Sequence, residues 1–120
     1  MAMIRYTDIN TGNNYVDEAL ENYLMHGYQP GGFVTAVLAN NLRLATGRAD
    51  HWNREILFKI VDEVTYKVPD LAWGNSIRVK EWLADKDGRR SEYAQRKEKE
   101  YTWKVLKGEV KERVYDDPPF

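Results

Sequence analysis

Apolar residues recur along this chain at helical spacing, three and four positions apart. The first such stretch, 15–26, puts Val16, Ala19, Leu20, Tyr23 and Leu24 on one face. Asn14 stands where an N-cap is expected, Asp17 and Glu18 suit the positive end of the helix dipole, and Gly27 holds the stop position. After the break at Pro30-Gly31-Gly32, a second helix is predicted over 32–45, with Val34, Val37, Leu38, Leu42 and Ala45 inward. Thr46-Gly47 closes it, since glycine enters the left-handed region at little steric cost. Asp50 caps a third helix over 51–66, whose inner face is Ile56, Leu57, Ile60 and Val64. The few residues between them predict an antiparallel helical hairpin.

Val68-Pro69-Asp70 stops the third helix and Trp73-Gly74-Asn75 forms a further turn. Ser76 caps a fourth helix reaching about Ala84, with Val79, Trp82 and Leu83 inward. Asp85-Lys86-Asp87-Gly88 reads as a domain edge. It separates a helical core with an N-terminal arm, 1–85, from a charged, aromatic-containing C-terminal extension, 86–120. Within the extension, 91–114 reads as a fifth helix with Trp103, Leu106, Val110 and Val114 in one stripe. Gly108 weakens that helix by about 1 kcal/mol relative to alanine, so a hairpin around Lys107-Gly108 is the alternative. The end, Asp116 to Phe120 with two prolines, reads as a frayed tail. The expected class is all-α: a small bundle of four to five helices with a central antiparallel hairpin.

Composition narrows this picture without changing it. A chain of 120 residues with 42% hydrophobic and 31% charged positions is an ordinary single folded unit with room for a core. Cysteine is absent, which excludes disulfides, thiolate chemistry and cysteine-ligated zinc. There is no apolar run long enough for a membrane span and no signal-peptide core, so a cytosolic protein is expected. The net charge of −1 hides an asymmetry, because residues 78–113 carry 12 basic against 8 acidic side chains. Alternating signs such as Arg96-Lys97-Glu98-Lys99-Glu100 read first as a solvated helix face rather than a nucleic-acid surface.

Candidate chemistry is sparse. Asn41 and Asn53 fall on the inner faces of the two hairpin helices, where an unpartnered amide costs about 1–3 kcal/mol. They either clamp the hairpin or line a polar pocket. Gly31 and Gly32 open a helix whose free N–H groups suit an anion, yet no Lys or Arg lies between Arg5 and Arg43 and no phosphate-loop pattern is present. His26 and His51, the two histidines, have no metal-ligand spacing, and two serines support no triad. No catalytic residue, metal site or cofactor is expected, and an enzyme is not. Tyr93, Tyr101, Trp103 and Tyr115 lie in the most charged part of the chain, which suits a helix packed on the core or a protein interface more than nucleic acid.

The run from Gly27 through Pro30-Gly31-Gly32-Phe33-Val34, Ala36-Val37-Leu38 and Asn40-Asn41-Leu42, then Ala49-Asp50 and Asn53, resembles a family of small tailed-bacteriophage proteins with no assigned activity. Trp73-Gly74-Asn75, Val79 and Trp82 continue the resemblance, which covers about 27–83. In that family's pattern an aspartate is usual at the position of Asn41 and a serine at that of Asn75. The resemblance implies a phage accessory protein in the host bacterial cytoplasm that inhibits or redirects a host or defence protein by binding. Arg96, Tyr101 and Trp103 are the expected partner anchors. The alternative is an oligomeric sponge for a nucleotide signal, held by Gly31, Gly32, Asn41, Arg48 and Asn53. Self-association suits either reading, while nucleic acid and membrane partners are not expected.

Overall fold

In the computed structural model, which describes residues 3–108 and 114–115, the central element is helix α1 (Asn14–His26). Val16, Leu20, Tyr23, Leu24 and Met25 are all buried in it, and so are Asp17 and Glu21. Around α1 stand α2 (Gly32–Leu38), α3 (Leu42–Arg48), α4 (His51–Glu55), α5 (Leu57–Lys67), α6 (Ser76–Leu83) and α7 (Arg89–Leu106). Short 3-10 turns at Asp70–Ala72 and Lys86–Gly88 link the last three. A two-residue antiparallel pairing joins β1 (Met3–Ile4) to β2 (Val114–Tyr115). The all-α bundle expected from the periodicity is what forms.

Among the described residues it has seven helices, rather than four to five, because both predicted hairpin helices are broken. The 32–45 helix stops at Leu38: Asn40 takes a left-handed conformation (φ 59°) and its N–H donates to the Val37 carbonyl, while the Asn41 N–H donates to Ala36. This is a Schellman ending with asparagine in the glycine position. Asn41 then caps the next helix, its side chain accepting from the Leu44 N–H at 3.0 Å. The restart rotates α3, so Leu42, expected inward, is 65% exposed. Likewise 51–66 divides at Ile56, which has φ −105° and ψ 10°. Asn41 is an exposed cap and does not meet Asn53, so neither the clamp nor a shared pocket forms. Asn41→Ala is accordingly expected to cost about 1 kcal/mol, the worth of an N-cap, by urea unfolding. A loss above 3 kcal/mol would return it to the interior.

Two further caps sit one residue earlier than predicted. Asn13 caps α1 by accepting from Tyr15 N–H at 2.9 Å, and Asn75 caps α6 by accepting from Arg78 N–H at 2.8 Å. The Trp73-Gly74-Asn75 turn is tied to the end of α2 by the Gly74 N–H, which donates to Leu38 at 2.8 Å.

The expected edge at 85–88 is a tight turn, and α7 folds straight back against α1. Asp85 and Asp87 adopt left-handed φ near 53° and 54°, and the Asp85 carboxylate accepts from both the hydroxyl and the N–H of Ser91 in the first turn of α7. Those bonds hold its pKa below the usual carboxylate range. Tyr93 belongs to the same core as α1 and α6, so the first half of α7 is an integral layer rather than an appendage. The helix ends at Leu106, with Gly108 left-handed just beyond it (φ 71°). Val110 and the 116–120 tail lie outside the described residues, while Val114 stands in β2 and not in the helix.

At the centre, Tyr23, Trp82 and Tyr93 pack ring against ring, with centroids 6.4 and 5.6 Å apart. The Trp82 indole donates to the Tyr23 carbonyl at 3.2 Å, and the Tyr23 hydroxyl donates to Ala72 at 2.7 Å. Burial pushes both tyrosine hydroxyls well above their ordinary pKa.

The arm, far from loose, is strapped to α1. Thr7 and Thr11 are four residues apart, as are Glu21 and Asp17, and the two pairs match in antiparallel register. Glu21 accepts from Tyr6 N–H (2.9 Å), Thr7 N–H (3.2 Å) and the Thr7 hydroxyl (2.5 Å). Asp17 accepts from Thr11 N–H (2.8 Å) and its hydroxyl (2.7 Å). Glu63 of α5 adds a bond from Asn10 N–H.

Candidate functional site

Three surface regions carry the side chains that stand out chemically. The first is the outer side of α7. Its inner ridge repeats every four residues, Tyr93 and Tyr101 being buried and Lys97 half-buried between them. Tyr101 packs edge-on against Tyr6 of the arm at 5.2 Å, so this expected anchor is a structural contact and not a surface one. Arg96 is exposed, with its guanidinium 5.5 Å above the Tyr93 ring. Trp103 is 59% exposed and Leu106 77% exposed, so the stripe they share faces outward. The phase follows the tyrosines, whose burial fixes which side of α7 meets α1. Trp103 and Leu106 border an open groove of about 430 Å³, floored by Gln95, Lys99 and Thr102 and edged by Glu98. Lys107 stacks on the Trp103 ring at 4.4 Å.

The second region is a cleft of about 380 Å³ where Gly31 and Gly32 face Asn53, with Asn13, Tyr15 and Asp50 around it. Asn53 is held there from two sides: its N–H donates to Asp50 at 2.7 Å and its side-chain carbonyl accepts from Asn13 Nδ2 at 3.1 Å. Arg48, at the end of α3, lays its guanidinium on Gly32 so closely that a β-carbon there would sit 2.6 Å from Nη1. Four of the five residues proposed for a ligand therefore converge, and Asn41 does not. The cleft offers amide groups and the start of α2, opposed by the Asp50 carboxylate, while the Arg48 guanidinium does not line it and reaches only Gly32.

The third region was not anticipated. Asn40 and Asn41 form the lip of an apolar hollow of about 170 Å³, walled by Val37, Leu42, Ala45, Val61, Val64 and Trp73. The Trp73 indole N–H is buried with no acceptor. The hollow exists because the Asn40 break swings α3 away from the line of α2. Reading Asn40-Asn41 as a helix stop would have been the signal for it.

Among the described residues no group of three or more histidine, aspartate or glutamate side chains is placed to hold a metal ion. No helix among them is long and apolar enough to cross a membrane. Comparison with protein-family models, with curated proteins and with solved structures finds no match to this chain. The functional reading accordingly rests on the geometry of these surfaces.

Proposed function

We propose that this protein acts by binding another protein through the outer side of α7, with Trp103 as the principal anchor and Arg96 beside it. The observation that carries the reading is the exposure of Trp103 and Leu106 along one groove, on a helix whose opposite side is fixed to the core by Tyr93 and Tyr101. A helix presenting a tryptophan and a large aliphatic residue, with Gln95, Glu98, Lys99 and Thr102 around them, has the composition of an interface centre among polar groups. The sequence resemblance supplies the setting: a phage accessory protein that inhibits or redirects a host or defence component in the bacterial cytoplasm.

The test uses the intact chain, because removing 86–120 would also strip Tyr93 and Tyr101 from the core. The full-length protein serves as bait in lysate of a bacterial host, and the captured protein is then titrated against purified variants. Trp103→Ala is expected to weaken binding about thirtyfold or more, the scale of an interface hot spot, with an unchanged circular dichroism spectrum. Undiminished affinity in both Trp103→Ala and Leu106→Ala would remove α7 as the binding surface.

One observation favours a second reading. Arg48 lies on Gly32, beside the 31–53 cleft, and a cation there suits a nucleotide phosphate. Thermal shift against nucleotides and cyclic nucleotides separates the two. Stabilisation that disappears in Arg48→Ala supports the cleft, and none with any of them leaves α7 alone.

A further inference from the structure

Charge is divided unevenly across the outer side of α7. Arg96 and Lys99 stand seven and four residues before Trp103, and Lys107 stands four after it. Those spacings bring all three to the tryptophan's side of the helix. Each is exposed, and among the described residues none of them has an ion-pair partner. Lys107 lies over one face of the indole, and Lys99 lines the groove itself. The carboxylates stand elsewhere. Glu100 is paired with Lys97, and Glu92 is a turn further from Trp103 than Arg96 and outside the groove. Glu98 lies about 140° round the helix from Trp103, beyond Thr102 and Leu106. The groove thus has cations beside Trp103, an apolar middle at Trp103 and Leu106, and one carboxylate on its far edge.

A partner that covers this pattern needs apolar residues for Trp103 and Leu106, and carboxylates along one flank only. Cations on that flank would meet like charges and oppose the contact. An extended strand has no way to add to α7, whose N–H and C=O groups are already bonded within the helix. Contact is therefore by side chains, and a second helix laid along the ridges of α7 brings them into reach. A single nucleic acid strand would also find three cations and an indole face. It would, however, set Leu106 against a charged backbone and Glu98 beside phosphates. A helix with one acidic flank does neither.

We infer that the partner engaged by α7, on the reading proposed above, presents an acidic amphipathic helix. Its apolar stripe covers Trp103 and Leu106, and its carboxylates line the flank that meets Arg96, Lys99 and Lys107. The intact protein is titrated by fluorescence anisotropy with three labelled peptides sharing one helical leucine pattern. Their single polar flank carries glutamate, glutamine or lysine, and a short oligothymidylate serves as the fourth probe. At low ionic strength the glutamate peptide is expected to bind about tenfold or more tighter than the glutamine peptide, a margin that narrows as salt is raised. Lys99→Glu combined with Lys107→Glu is expected to invert the order, so that the lysine peptide binds best. Both positions are exposed, and an unchanged circular dichroism spectrum checks the fold. Trp103→Ala should weaken the glutamate and glutamine peptides by a similar factor, about tenfold or more, because it removes the apolar part of the contact. A glutamate peptide no better than the glutamine one, or an order that survives the double charge reversal, would overturn the acidic helix. So would tighter binding of the oligothymidylate, or no binding by any probe. In each of those cases the α7 interface still stands or falls by Trp103→Ala and Leu106→Ala in the captured protein. Affinities that Trp103→Ala leaves unchanged for every probe and for the captured protein would remove the α7 surface, and this inference with it.

Discussion

Trp82→Ala is expected to lower the free energy of unfolding by about 3–5 kcal/mol, the range for truncating a large buried aromatic side chain. Trp82 is among the largest fully buried side chains, and it is where three helices meet. Its ring lies edge-on to Tyr93 of α7 and tilted over Tyr23 of α1, and its indole N–H satisfies the Tyr23 carbonyl. Its own carbonyl accepts from Arg90 Nε at 3.2 Å, just as the chain turns into α7. Alanine would leave a void between α1, α6 and α7 and remove one of the two donors to the Tyr23 carbonyl, which keeps the Gly27 N–H at 3.2 Å. Since a domain of this kind has about 5–15 kcal/mol in all, a fifth or more of the stability would go. Trp82→Phe should fall between, keeping most of the packing but not the hydrogen bond. Urea unfolding followed by far-ultraviolet circular dichroism measures both, and a loss below 1 kcal/mol for the alanine variant would show that this centre is loosely packed.

Glu21→Ala is expected to cost about 3 kcal/mol or more, from two amides and a hydroxyl that lose one buried acceptor together. The distinguishing readout is local. Hydrogen exchange at Tyr6 and Thr7 should accelerate towards that of an unprotected chain, while the amides of α6 slow or quicken only with global stability. Glu21→Gln keeps the shape and one acceptor oxygen but turns a donor towards an N–H, so it should lie between wild type and alanine. Exchange at positions 6 and 7 unchanged in Glu21→Ala would mean that the arm is held by other contacts.

Helix identity was legible in the sequence wherever the apolar period agreed with a local stop signal. Gly27 ends α1 in the left-handed conformation (φ 70°), and Pro69 follows the end of α5 at Lys67. The breaks were harder because neither carries glycine or proline: Asn40 stands in for glycine, and Ile56 gives no local signal at all. Periodicity also counts acidic residues as outward by default. Asp17 therefore read as favouring the helix dipole and Glu21 carried no signal, when the arm that covers them brings the donors they need. On α7 the stripe through Trp103 and Leu106 and the ridge through Tyr93 and Tyr101 compete, and only the position of α1 decides for the tyrosines. The candidate ligand residues came together in part because Gly31 and Gly32 open α2 and Asn53 lies in α4, and both helix starts line one cleft, whereas Asn41 was misplaced along with the helix assigned to it.

Because α1 is covered partly by α7, the order in which the chain leaves the ribosome matters. Residues 14–26 emerge before α7, and the side of α1 that α7 covers stays open while the chain is extended through Tyr101. At roughly 5–20 residues per second, the 75 positions from His26 to Tyr101 take about 4–15 s. Throughout that interval an apolar flank of the nascent helix is open to chaperones or to neighbouring nascent chains. Expression yield should therefore respond to synonymous codons that slow or hasten translation between α6 and the end of α7, even though the protein made is the same.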